Sequence, residues 1–208
     1  MRVAVVNLKG GTAKTTSAMY LASALSGRGR TLLVDADPQG SALSWSEAAE
    51  VDGYQFPFAL MGMPTQDVHK KLSRIAADYE HVVIDTPPGE LGITRSALRA
   101  ADVGLVVLSP SMMDVSRFSP TLDLLADAED LNEELGYYVL LTRSSRITRE
   151  GRDAREAMAD MGLPVLAAEI PQLAFYSRAF GAAIDELADY EAATDELLSR
   201  EQSAEEVV

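Results

Sequence analysis

The sequence predicts an α/β fold, a mostly parallel twisted sheet with helices on both faces, and three observations carry that expectation. Short apolar runs alternate with longer segments of helical spacing. The runs are rich in Val, Leu and Ile without polar alternation, as in strands covered on both sides. Three of them end in glycine-rich or acidic turns, and in an open parallel sheet the carboxyl ends of strands are where ligands bind.

In chain order the strand candidates are "VAVVN" (Val3–Asn7), "TLLVD" (Thr31–Asp35), "HVVID" (His81–Asp85), "VGLVVLS" (Val103–Ser109) and "YYVLLT" (Tyr137–Thr142). Weaker candidates are "FAL" near Phe58 and "VLAAEI" near Val165. Helical spacing predicts helices over Thr15–Ser26, Thr65–Ala77, Ile93–Ala100, Pro120–Leu135, Glu150–Met161 and Ile184–Arg200. The last places Ile184, Leu187, Glu191, Thr194 and Leu198 on about one face, only partly apolar, and is expected to dock at the edge of the sheet. From Asp185 onward there are nine acids and one arginine, Arg200, and residues 201–208 are expected to fray. With no repeat and no linker composition, one domain over residues 1–208 is expected.

Composition narrows the function. A hydrophobic content of 47% with 24% charged residues is that of a globular chain able to bury a full core. No apolar run approaches the roughly 20 residues of a membrane span. "RVAVVN" at the start has the character of a strand rather than a signal peptide. The absence of cysteine excludes disulfides, thiolate zinc sites and cysteine-ligated iron–sulfur clusters. A formal charge of −14 disfavours nonspecific nucleic-acid binding by the chain as a whole, so any such binding needs a local basic patch.

After the first strand comes "NLKGGTAKTT", Asn7 to Thr16. Gly10 and Gly11 permit a tight backbone path that turns successive N–H groups toward an anion, and the helix that follows adds its positive end. Thr12 and Thr16 flank the turn; Lys14 can reach the β- and γ-phosphates of a nucleotide, and Thr15 can offer its hydroxyl to Mg²⁺. Ala13 stands where the phosphate loop G-x-x-x-x-G-K-[ST] has glycine, and is tolerable if it sits at negative φ, where a methyl group costs little. The alternative is a glycine turn before a helix with exposed lysines. Against it, two of only four lysines in the chain, Lys9 and Lys14, fall in this loop. The second strand ends in "VDADPQGS", with Asp35 and Asp37; one acid there would suit a helix cap, whereas two beside a phosphate loop suit Mg²⁺ and water. The third ends in "IDTPPG", placing Asp85 as a Walker B carboxylate would be.

These three motifs, in this order and spacing, resemble the deviant Walker A P-loop ATPases of the ParA/MinD family, closest to the short ParA partition ATPases that lack an N-terminal DNA-reading domain. The resemblance covers nearly the whole chain. The family loop is K-G-G-x-G-K-[ST]-[ST]; Leu8 falls at a variable position, and Ala13 departs from it. The resemblance implies ATP and Mg²⁺ as cofactors and slow ATP hydrolysis that a partner stimulates. The signature lysine, matched by Lys9, would cross a nucleotide-sandwich homodimer to the partner's phosphates. Asp37 would orient the attacking water, and Asp35 and Asp85 would act around the metal through water. "LLTR" and "IPQ" resemble segments bordering the adenine, which points to Arg143 and Pro171. The family also implies a cytoplasmic, nucleoid-associated protein that binds DNA nonspecifically, works with a ParB-like centromere-binding stimulator and needs no membrane.

"TRSSRITREGRDAR" spaces Arg143, Arg146, Arg149, Arg152 and Arg155 at intervals of three. The last four are candidates for phosphate neutralisation along DNA; the alternative is a solvated arginine face paired with local acids. His69 and His81 lack metal-like neighbours, Trp45 is expected to pack, and Met112–Met113 suits loop packing or a dimer surface. Two other functions compete. A MinD-type membrane cycle needs a basic amphipathic C-terminal helix, and this one is acidic. A phosphotransferase of the dethiobiotin synthetase type needs a small-acid pocket and no signature lysine.

Overall fold

The computed structural model describes residues 1–110, 119–144 and 148–205. Seven strands form one sheet: β1 (Arg2–Val6), β2 (Thr31–Asp35), β3 (Ala59–Gly62), β4 (His81–Asp85), β5 (Val103–Leu108), β6 (Gly136–Ser144) and β7 (Val165–Pro171). Their order is β3-β2-β4-β1-β5-β6-β7, and every neighbouring pair is parallel. The two weak strand candidates are the edges of this sheet, as β3 and β7. Edge strands are flanked on one side only, so their sequences carry less of the apolar signal of a central strand.

Between the strands run α1 (Lys14–Ser26), α2 (Ser41–Val51), α3 (Val68–Ile75), α4 (Leu91–Leu98), α5 (Ser119–Glu129), α6 (Arg149–Asp160), α7 (Ala174–Ser177) and α8 (Asp189–Glu205). Alternate residues of each strand feed two cores. Ala4 and Val6 of β1 face α3, α4, α5 and α6, represented by Leu72, Leu98, Leu125 and Met158. Val3 and Val5 face α1, α2 and α8, represented by Leu21, Trp45 and Leu197. Both faces of β1 are therefore dry, which is why its sequence shows no alternation.

Three expectations need correction. Helix α2 was not among the predicted helices. Its buried residues are two alanines, Ala42 and Ala49, and a single large one, Trp45, too few to mark an apolar face. Its N-terminus is capped from a distance: Asp35 of β2 accepts the N–H groups of Ala42 (2.9 Å) and Leu43 (3.1 Å). Second, the last helix begins at Asp189 rather than Ile184. Trp45 donates to the Ala182 carbonyl and Tyr54 to that of Ile184, holding this stretch away from helix, and Ala188 adopts a left-handed φ of 46°. The helix does pack on the edge strand β7, through Tyr190, Ala193, Thr194 and Leu197, while Glu191 faces solvent. Third, residues 201–205, expected to fray, are helical.

Candidate functional site

β1 ends at Val6, and the turn over residues 7–13 is fastened before α1 begins. Asn7 is buried; its amide donates to the Val107 carbonyl of β5 (2.8 Å), and its Oδ1 accepts the Lys9 N–H (2.8 Å). Thr142 of β6 donates to the Thr12 carbonyl (3.1 Å). Sequence reasoning assigned no role to Asn7 or Thr142. The only signal for either was a polar residue at the end of an apolar run.

Gly11 (φ 74°) and Ala13 (φ 70°) are both left-handed. The negative φ at which a methyl group would cost little is not the one Ala13 adopts. The left-handed conformation there turns the backbone N–H groups into a concave, anion-accepting path, and a Cβ at this position costs on the order of 1–2 kcal/mol. Lys14 is nearly buried, and its ammonium folds back to donate to the Lys9 carbonyl (3.0 Å). Burial pulls its pKa down, and Asp85 and Asp37 push it back up. Lys9, by contrast, is exposed.

Asp85 is fully buried at the end of β4, and neither carboxylate oxygen has a hydrogen-bond partner among the described residues. Burial pushes its pKa up to about 7; the nearby Thr15 hydroxyl pulls it down without reaching hydrogen-bond geometry, and Asp35, Lys14 and Asp37 contribute smaller effects. A buried carboxylate without a donor is costly, so it marks a place prepared for a cation or for the water around one. Asp35 differs. Besides capping α2, it accepts the Asp37 N–H (3.1 Å), so this acid organises the loop that carries Asp37. Asp37 is partly exposed and accepts the Gln39 N–H (2.9 Å).

Beside the loop opens a cavity of about 360 Å³ walled by Ala13, Thr15, Thr16, Arg143, Pro171 and Tyr176, among others. Arg143 and Pro171, far apart in sequence, meet here because β6 and β7 are neighbours. Trp45 both packs in the core and lines this cavity. The size suits a nucleoside, and the cavity continues into the nest of N–H groups. The residues present fit a polyphosphate with a divalent cation: Gly10 to Lys14 for the anion, and Thr15 with the orphaned Asp85 for the metal. The fit rests on these two groups together with the nucleotide, because no cluster of three or more His, Cys, Asp or Glu suited to a metal occurs among the described residues.

A family model described as the CobQ/CobB/MinD/ParA nucleotide binding domain matches residues 3–183. The chain belongs to this family. Its similarity extends to the maintenance of carboxysome distribution protein A of Gloeobacter kilaueensis, 34% identical over 183 residues, covering 85% of this chain and 79% of the relative. The protein ParA of Rhizobium radiobacter is 24% identical over 182 residues, covering 86% and 81%. Among solved structures, the cobyrinic acid a,c-diamide synthase of Mycobacterium smegmatis, with bound ADP and magnesium, superposes with a TM-score of 0.76 at 25% identity, covering 97% of this chain and 95% of that one. Family membership accords with the seven-stranded parallel sheet and with the nest and nucleoside-sized cavity at its carboxyl edge.

The arginine segment is less uniform than its spacing suggested. Arg149 is 87% exposed and pairs with Asp153 (3.4 Å). Arg155 is bound to Glu169 of β7 and to the Leu166 carbonyl (3.0 Å), and Ser144 donates to the same Glu169. Its guanidinium is committed to holding α6 on the sheet. Arg146 and Met112–Met113 lie outside the described residues.

Proposed function

We propose that the chain is a single-domain, ATP-dependent partition or positioning ATPase. It binds Mg-ATP, forms a nucleotide-sandwich homodimer, binds DNA nonspecifically in that state, and is released when a ParB-like partner stimulates hydrolysis. The observation that carries this reading is the division of labour between the two loop lysines. Lys14 is buried and turned back into its own loop, where it can neutralise a bound phosphate in cis. Lys9 stands exposed on the rim, where it can serve a second subunit. A cation supplied in trans makes dimerisation depend on the nucleotide.

In this reading Thr15 and Asp85 hold Mg²⁺, which offsets charge on the phosphates. Asp37 holds and orients the attacking water, and Asp35 keeps Asp37 in place. Gly10, Gly11, Thr12, Ala13 and Thr16 surround the phosphates, while Arg143 and Pro171 border the base. Catalysis is then positioning and charge stabilisation. The cargo is plasmid or chromosomal DNA or, as the carboxysome relative suggests, a large protein body. The protein would act in the cytoplasm on the nucleoid. No described helix is long and apolar enough to cross a membrane, and the first turn of α8 carries Asp189 and Glu191, the wrong sign for an anionic bilayer. Similarity to the diamide synthase favours a second reading, a small-molecule enzyme on the same scaffold.

The test is binding to a random-sequence duplex with ATP, with ADP and without nucleotide, across a salt series. Binding with ATP alone, weakening steeply with salt, is expected. No binding at low salt, despite ATP-dependent dimerisation, would overturn the DNA-based function and turn attention to small acids as substrates.

A further inference from the structure

The chain has four lysines, and none is scattered. Lys9 and Lys14 lie in the phosphate loop; Lys70 and Lys71 lie in the first two turns of α3. Helix α3 (VHKKLSRI) adds Arg74 and contains no acid. Helix α4 (LGITRSAL) packs beside it, with His69 of α3 bonded to the Ser96 hydroxyl (2.8 Å), and also contains no acid. It contributes Arg95 and, as its C-cap, Arg99. Arg99 and Lys70 both bear electrostatically on His69, so each helix brings one cation near their shared seam.

Two of these five cations are occupied: Lys71 pairs with Asp67 (3.1 Å) and Arg95 with Asp127 of α5 (2.6 Å). Lys70, Arg74 and Arg99 are exposed and have no acidic partner among the described residues. A purely local explanation covers only part of the pattern. Arg74 and Arg99 sit at helix C-termini, where a cation suits the helix dipole. Lys70 sits at the opposite end, in the first turn of α3, where a cation is unfavourable, and it is i,i+4 from Arg74, a like-charge pair. Neither an ion pair among the described residues nor the helix dipole favours Lys70. An external anion would.

We infer that the α3–α4 face, through Lys70, Arg74 and Arg99, is a surface by which this protein contacts the phosphate backbone of duplex DNA. The inference rests on the DNA-binding reading above and moves its main contact away from the arginine segment. There Arg155 is bound to Glu169 and Arg149 is paired with Asp153. The chemistry is phosphate neutralisation by flexible, solvated cations with no groove-entering element, so the face should not discriminate sequence. Acidic α5, with Asp123, Asp127 and Glu129, borders the face and limits its extent on one side.

The experiment measures anisotropy of a labelled random duplex with Mg-ATP over a salt series, comparing wild type, K70Q/R74Q/R99Q and R149Q/R152Q. Dimerisation of each is followed in parallel by light scattering. Each lost phosphate contact lowers the slope of log K against log salt by about 0.9, so the triple variant should lose about 2.7 per protomer and bind at least tenfold more weakly at moderate salt. The arginine double variant should change less than threefold. K70Q and R99Q alone should each lower the slope by about 0.9 per protomer, a readout that stands if the triple variant does not fold. If the triple variant keeps the wild-type slope while R149Q/R152Q loses it, the face is wrong and the DNA-binding function survives. If wild type binds anionic vesicles but no DNA, both readings fall. Loss of ATP-dependent dimerisation in the triple variant would also overturn the assignment, because the effect would then not be local to DNA.

Discussion

Replacing Asp85 by Asn should make the nucleotide-free protein more stable and the nucleotide-bound protein less so. Asp85 is fully buried with neither oxygen hydrogen-bonded among the described residues, and its pKa stands at about 7 against an ordinary 3.8. Below about pH 4 both folded and unfolded chains hold this proton, and the group contributes nothing to the pH dependence. As pH rises from about 4 toward 7 the unfolded chain ionises while the folded one does not, so stability falls; above about 7 the penalty is complete. A shift of about three units is worth on the order of 4 kcal/mol, and the part falling between pH 5.5 and 8 is about 2 kcal/mol. Asn cannot ionise. Urea unfolding of the two apo proteins at pH 5.5 and pH 8, both above the sequence pI of about 4.5, should show Asp85→Asn gaining about 2 kcal/mol on wild type across that interval. Adding Mg-ATP should then stabilise wild type far more than the variant, because the cation would supply the partner that the carboxylate lacks. A gap independent of pH, or a variant less stable than wild type at pH 8, would refute the view that Asp85 is held at a cost for a cation.

Ala13→Gly removes a Cβ from a left-handed residue at some cost in chain entropy, and should stabilise the apo protein by up to about 1 kcal/mol, read as a melting temperature a few degrees higher; a lower one would show that Ala13 bears no strain. Asp37→Ala should cut ATP turnover at least tenfold or so while leaving nucleotide affinity nearly intact, since removing an acid near Lys14 does not weaken the anion site; unchanged turnover in a phosphate-release assay would displace Asp37 from its role. Lys9→Ala should bind ATP as a monomer and fail to dimerise, checked by light scattering with a slowly hydrolysed analogue; normal dimerisation would remove Lys9 from the interface.

Much of this protein was legible in its sequence because the signals are local. The central strands are apolar on both faces, and a run such as "VAVVN" can hardly be anything else. The phosphate loop and the acids after β2 and β4 follow strands directly, so chain order alone brings them to one edge of a parallel sheet. What the tertiary structure decided involves partners distant in sequence. Helix α2 depends on a cap from Asp35 and on Trp45 tied to Ala182, and its own composition does not announce it. Ala13 is left-handed because the loop is pinned by Asn7 to β5 and by Thr142 to β6, restraints that no window of ten residues contains. The arginine spacing drew attention to residues 143–155, yet Arg155 on α6 is bound by Glu169 of the edge strand β7. The α3–α4 cations, more than twenty residues apart in places, become one surface only when two helices pack side by side. Sequence determines which residues can bury apolar area or bind an anion; only the folded chain determines which charges are already satisfied, and so which are left for another molecule.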